Sequence, residues 1–235
     1  MNRIEETMER LKENGKKAVV TYITAGCPVL KETKERIRKM KEEADMIELG
    51  IPFSDPVADG PVFQDAFYNS ILHGTTLKKV FHMMEEIRKE GMEIPVIFRI
   101  YYNTILHYGM EAFAGMCQTA GVDGLLVPDL PFEEQEELQA ALLKDGRTIL
   151  IQIVSSASRS RIAKILKDAR GFVCCLSTGD EIQKDASLCE EDFSCLKEIR
   201  EASAVPVLME FETDIRKEDA SAMEMFDGAV FRCGE

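Results

Sequence analysis

A chain of 235 residues, 45% hydrophobic and 30% charged, has the apolar content of one folded domain, is close to the ~250 residues of an eight-stranded α/β barrel, and is no disordered polymer. Its 42 acidic against 29 basic side chains leave a formal charge of −13, which repels nucleic acid phosphates and anionic membrane faces. No apolar run approaches the ~18 residues of a membrane span, and the opening MNRIEETMERLKENGKK lacks a signal-peptide core, so a cytoplasmic protein is expected.

In chain order, Arg3 to Glu13 places Ile4, Met8 and Leu11 on one helical face, suited to covering one end of a barrel. Eight β-branched runs follow: Ala18 to Ala25, Asp45 to Ile51, Pro95 to Tyr102, Val122 to Val127, Thr148 to Val154, Gly171 to Ser177, Val205 to Met209 and Phe226 to Phe231. Segments of helical period lie between them. Thr75 to Glu90 aligns Leu77, Val80, Phe81, Met84 and Ile87, Glu133 to Asp145 aligns Leu138, Ala141 and Leu142 before Gly146, and Ser158 reads as the N-cap of a helix burying Ile162, Ile165 and Leu166. The regular alternation, with no linker, predicts one (β/α)8 TIM-barrel domain over 1–235. The competing open doubly wound sheet lacks its G-x-G-x-x-G after the first strand. Only four residues follow Phe231, so the final barrel helix is expected to be absent. EADMIELG, GVDGLLVPD and FDGAVF repeat one theme, an Asp just before an apolar strand.

The seven cysteines form no C-x-x-C pair and have no metal-ligand spacing with the three histidines, so reduced, mostly buried thiols and no metal are expected. The chemistry-bearing residues are carboxylates. Glu48 lies at the C-terminal end of the second strand, where barrel enzymes place their chemistry, and its apolar neighbours Met46, Ile47 and Leu49 raise its pKa toward neutrality. The following loop, IPFSDPVADGP, carries three prolines that fix the backbone and hold Asp59 over the barrel mouth.

The run ELGIPFSDPVADGP, Glu48 to Pro61, resembles the signature of the tryptophan synthase α subunit family. TAGCP at Thr24 to Pro28, YYN at Tyr101 to Asn103, GVDGLLVPDLPFEE at Gly121 to Glu134 and GFVCCLS at Gly171 to Ser177 extend the match. The resemblance implies a lyase that cleaves indole-3-glycerol phosphate to indole and glyceraldehyde 3-phosphate without cofactor or metal, and passes indole to a pyridoxal-phosphate β subunit. It implies Glu48 as the acid-base group, Asp59 as the carboxylate stabilising charge at the indole nitrogen, and substrate contacts at Tyr22, Arg99, Tyr101, Asp129 and Cys174.

Several positions depart from the family pattern. Its Gly-Phe-Gly phosphate turn after the seventh strand is matched by Glu210, Phe211 and Glu212, and its Gly-Ser pair after the eighth by Arg232 and Cys233. Two carboxylates ~5 Å from a phosphate cost about 1–4 kcal/mol each, and Arg232 is expected to pair with Glu210 or Glu212 and fill the vacated cradle. Arg99 replaces an apolar residue facing the indole and is expected to pair with Glu48, lowering its pKa, while Cys174 stands for a tyrosine. TGDEIQKDA, Thr178 to Ala186, replaces a Gly-rich loop. The alternatives to the family reaction are a lyase for a substrate without phosphate and a non-catalytic relative that docks on a β-type subunit.

Overall fold

The structure, a computed structural model, describes residues 2–144, 146–176, 197–211 and 226–232. Its strands are β1 (Ala18–Thr24), β2 (Met46–Gly50), β3 (Val96–Arg99), β4 (Gly124–Leu126), β5 (Ile149–Leu150), β6 (Gln152–Val154), β7 (Val173–Leu176), β8 (Val207–Phe211) and β9 (Gly228–Phe231). The helices up to β7 are α1 (Arg3–Glu13), α2 (Leu30–Met40), α3 (Pro61–Leu72), α4 (Leu77–Lys89), α5 (Tyr102–Tyr108), α6 (Met110–Ala120), α7 (Glu136–Leu143) and α8 (Ile162–Leu166). The strands pair in parallel in the order β5-β4-β3-β2-β1-β9-β8-β7-β6. β5 and β6 are two pieces of the fifth predicted strand, parted at the buried Ile151, and through them the sheet closes on itself. The eight predicted runs are thus the eight staves of a TIM barrel.

Strand alternation sorts the staves into two faces. Ala18, Val20, Met46, Ile97, Cys174, Leu208 and Val230 point inward and share a cluster with Ile4, Met8 and Leu11 of α1, which closes the bottom of the barrel. Outward residues of the first half, among them Ile23, Ile47, Leu49 and Phe98, pack against the helical wall, including Val80, Phe81, Met84 and Ile87 of α4. Those of the second half, Val154, Val173, Cys175, Val207 and Met209, pack on Ile162, Ile165 and Leu166 of α8.

The three repeated aspartates do one job. Asp45 accepts from the backbone N–H of Val19 (3.0 Å), Asp123 from that of Val96 (2.9 Å) and Asp227 from that of Val207 (2.9 Å). Each stands just before one strand and satisfies a donor at the start of its neighbour, a group that would otherwise lose a partner at the sheet's end.

The cap of the α8 region differs from expectation. A 3-10 turn, Ser156–Arg161, precedes α8 and its N-cap is Ser155, while the Ser158 hydroxyl accepts from the Ser155 N–H as the third residue of a capping box. The helical path therefore starts three residues earlier than the apolar period indicates, because a 3-10 turn buries no stripe of its own. Residues 233–235, on which the expected absence of a last helix turns, lie outside the described residues.

Candidate active site

Two inward residues of β2 and β3 start the site. Register pairs Tyr22 of β1 with Glu48 of β2, and Gly50 with Arg99 of β3. Gly50 has a steric reason: a Cβ there would collide with the Tyr22 hydroxyl. Above them the loop from Ile51 to Gly60 is tied to Tyr101, whose hydroxyl accepts from the Ala58 N–H (3.0 Å) and donates to Asp59 Oδ2 (2.5 Å), while Phe53 stacks on its ring. The proline-rich loop thus sets Asp59 over the mouth, then runs through Gly60 and Pro61 into α3.

Among the described residues, five acidic and basic side chains meet there, with one thiol beside them. Arg99 Nη1 donates to Glu48 Oε1 (3.2 Å) and Glu210 Oε2 (2.9 Å), and its Nε lies 3.5 Å from Asp59 Oδ1. Arg232 donates through Nη2 to Asp59 Oδ1 (2.5 Å) and through Nη1 to Glu210 Oε1 (3.1 Å). Cys174 Sγ donates to Glu210 Oε2 at 3.4 Å. All are buried, Glu48 and Arg232 completely. The Arg232 guanidinium also sits over two rings, 4.0 Å from the centroid of Phe63 and 4.7 Å from that of Tyr22.

Among the described residues three carboxyls face two guanidiniums, and an unbalanced buried charge is costly. Glu48 has the fewest donors: Arg99 alone reaches Oε1, and Oε2 has no hydrogen-bond partner among the described residues. Burial raises the Glu48 pKa more than Arg99 lowers it, while Arg99 and Arg232 hold Glu210 below its ordinary value. Glu48 is therefore, of the three carboxyls, the one that holds a proton most readily. The predicted Arg99–Glu48 pair exists and works in the expected direction, lowering the Glu48 pKa, but the desolvation of the fully buried carboxyl, also expected from its apolar neighbours, outweighs it. Burial also raises the Tyr22 hydroxyl to about 12 and pushes the Cys174 thiol up beside Glu210, so both remain donors.

Of the predicted site residues, Glu48, Asp59, Tyr22, Arg99, Tyr101, Cys174, Glu210 and Arg232 converge. Asp129 does not: it is exposed at the rim and accepts from the Tyr102 N–H (2.8 Å) at the start of α5. Phe211 stacks on Phe231, and its carbonyl accepts from the Arg232 N–H (2.8 Å), which fixes the backbone of Arg232. Glu212, Cys233 and the 178–186 loop lie outside the described residues. The expected pairing of Arg232 with Glu210 is present.

The family model for the tryptophan synthase alpha chain matches residues 8–232. The chain belongs to that family. A tryptophan synthase alpha chain of Lachnospira eligens is 46% identical over 233 residues, covering 98% of this chain and 88% of its own. Among solved structures, tryptophan synthase subunit alpha from Legionella pneumophila superposes with a TM-score of 0.89 at 34% identity, covering 98% of this chain and 86% of that one. A chain of the tryptophan synthase complex from Pyrococcus furiosus gives 0.80 at 29% identity, over 91% and 86%.

Against this tryptophan synthase alpha fold, sequence reading missed Phe63. It is the third residue of α3, buried at 5% exposure, edge-on to Tyr22 at 5.2 Å, and it supplies the ring nearest Arg232. The available signal was an aromatic four residues after Asp59, on the first turn of the helix that the rigid loop aims at the mouth. Among the described residues no helix is long and apolar enough to cross a membrane.

Proposed function

We propose that this chain is an alpha-type carbon–carbon lyase of tryptophan biosynthesis, cleaving indole-3-glycerol phosphate, or a relative without the phosphate, to indole and the three-carbon aldehyde. Glu48 carries the reading. It is an acid kept protonated by burial on a strand end of the barrel mouth, beside a second carboxylate fixed by a rigid loop. Glu48 delivers its proton to the ring carbon that bears the side chain, leaving the ring cationic with its charge at the nitrogen, opposite Asp59. The Glu48 carboxylate then takes the proton of the neighbouring hydroxyl. The carbon–carbon bond pair returns to the ring, and indole and an aldehyde separate with Glu48 protonated as at the start.

The test is indole release from indole-3-glycerol phosphate by the purified chain, with and without a tryptophan synthase β subunit. Glu48→Gln is expected to lower it about 10²–10⁴-fold, the usual contribution of a general acid. Equal release by wild type and variant would refute the reading. A phosphate-free substrate is favoured by Glu210, a buried carboxylate where the family pattern has glycine. Wild type turning over the dephosphorylated substrate at least as well as the phosphorylated one would support that form, and the reverse ranking would remove it.

A β-type partner is part of the same proposal. Val57, Tyr68 and Leu72, at 74%, 62% and 64% exposure, place apolar side chains in solvent on the Asp59 loop and along α3. A cytoplasmic setting and one domain over 1–235 belong to the reading as well.

A further inference from the structure

The Arg232 side chain does more than neutralise Glu210. Its guanidinium is a flat group with N–H donors at the edge and a delocalised face. The guanidinium carbon lies over both Phe63 and Tyr22, 4.0 Å and 4.7 Å from their centroids, and these rings, at 81° to one another, form an aromatic corner around it. The edge donates to Asp59. A corner of two rings with a carboxylate at its side recognises one chemical class: a planar π-system that presents an N–H donor. That is the chemistry of an indole ring as much as of a guanidinium.

We propose that Arg232 is a specificity-determining residue whose guanidinium occupies the aryl subsite formed by Tyr22, Phe63 and Asp59, so that a flat N–H-bearing ring enters only when Arg232 swings out. The main chain does not supply the opening. The Arg232 N–H is bonded to the Phe211 carbonyl, and β9 is paired with β8 through Phe211 and Phe231, so exchange occurs by side-chain rotation about a fixed backbone. The occupant is also a good one by energy. A desolvated cation held by two rings and two carboxylates is bound more firmly than the same group on a surface, and an incoming neutral ring must displace it. The subsite is thus selective against weak aryl ligands and favours those whose remaining groups offset its displacement.

The choice of ring rests on the lyase reading; the occupancy of the subsite does not. The experiment is a titration of the full chain with indole. Because the chain has no tryptophan, indole emission is read without protein background. Arg232→Gly opens the subsite but leaves two carboxylates facing Arg99 alone, so the double variant Arg232→Gly with Glu210→Gly, which removes one cation and one anion together, is measured beside it, with circular dichroism confirming the fold.

Indole affinity is expected to rise about tenfold or more over wild type, and guanidinium ion at low millimolar concentration is expected to compete with indole in the variants and to have no effect in wild type. Unchanged indole affinity in a folded variant would make Arg232 a counter-ion only and overturn the proposal, as would a gain that guanidinium does not reverse. Turnover of indole-3-glycerol phosphate is followed in parallel. Tighter indole binding in the variants with no turnover by wild type would remove the lyase reading and leave this one; turnover with unchanged binding would do the converse.

Discussion

Two buried ion clusters lie at opposite ends of the barrel, and only the lower one is complete. At the bottom, Asp123 accepts from the Val96 N–H (2.9 Å), from Arg88 (2.7 Å) and from Arg3 (2.9 Å), and both oxygens are used. Arg88 also donates to the carbonyls of Gly121, Met92 and Ile94, and Arg3 keeps a third of its side chain in solvent. At the mouth, among the described residues, the charged groups are all buried, three carboxyls share two guanidiniums, and Glu48 Oε2 has no hydrogen-bond partner. A cluster whose capacity is used up holds strands together; one that retains an unbonded carboxyl oxygen in a closed space is arranged for a further group. That division matches the usual one between the two faces of such barrels, stability below and chemistry above.

The comparison breaks most sharply at Asp123. Asp123→Ala leaves Arg88 buried without its anion and the Val96 N–H without its acceptor, for an expected loss of about 3–5 kcal/mol in urea unfolding. A loss below about 1 kcal/mol would remove the claim that the bottom cluster is structural.

Replacing a mouth pair is expected to behave oppositely. Arg99→Met with Glu210→Met takes out one cation and one anion and leaves a protonated Glu48 beside the Asp59–Arg232 pair. Apolar replacement of a buried pair is neutral or stabilising by about 1–4 kcal/mol. A denaturation midpoint clearly below wild type would show that the mouth, too, is kept for stability.

The two clusters were not equally legible in the sequence. The staves and the bottom helix follow from β-branched runs and from Ile4, Met8 and Leu11, because burial pattern is local and periodic. The Asp echo was visible as well, although its meaning, one carboxylate satisfying the backbone of the next strand, needs the register. At the mouth the participants Glu48, Asp59, Arg99, Glu210 and Arg232 were all legible. What was not legible is how far water is excluded from them. That depth decides which of the two expected influences on Glu48 prevails, burial over Arg99, and it comes from residues far apart in the chain. Phe63, 169 positions before Arg232, was hidden for the same reason, since nothing local marks an aromatic as the floor under a distant cation. Ser158 gave way to Ser155 because a 3-10 turn has no apolar period to announce it.

The titration of the mouth gives a smaller effect with a definite sign. Above its ordinary value of 4.5 and below its raised folded value, Glu48 holds a proton in the folded chain that the unfolded chain has released. Stability from Glu48 is therefore greatest at low pH and is lost as pH rises through that window, whereas the lowered Glu210 acts only as pH falls below 4.5. Glu48→Gln removes the first slope. Its melting temperature relative to wild type is expected to climb as pH rises above 4.5; a difference that is flat, or that falls, would mean Glu48 is ionised when buried.

The finest cut separates the two opposing influences on Glu48 itself. Burial holds its proton on and Arg99 works to take it off, with the guanidinium 3.2 Å away and shared with Glu210. Arg99→Leu removes the only hydrogen-bond donor to Oε1 among the described residues and keeps the carboxyl dry, so the Glu48 pKa is expected to rise further. The carboxyl carbon-13 shift of labelled Glu48, followed with pH in wild type and variant, reads this directly. A rise makes Arg99 the residue that keeps an otherwise inert acid within reach of ionisation, which a group that must both give and take a proton requires. A fall would mean that the shorter leucine side chain admits water and that Arg99 served chiefly to seal the mouth, and an unchanged titration would mean the Arg99 charge is spent on Glu210 and Asp59 alone.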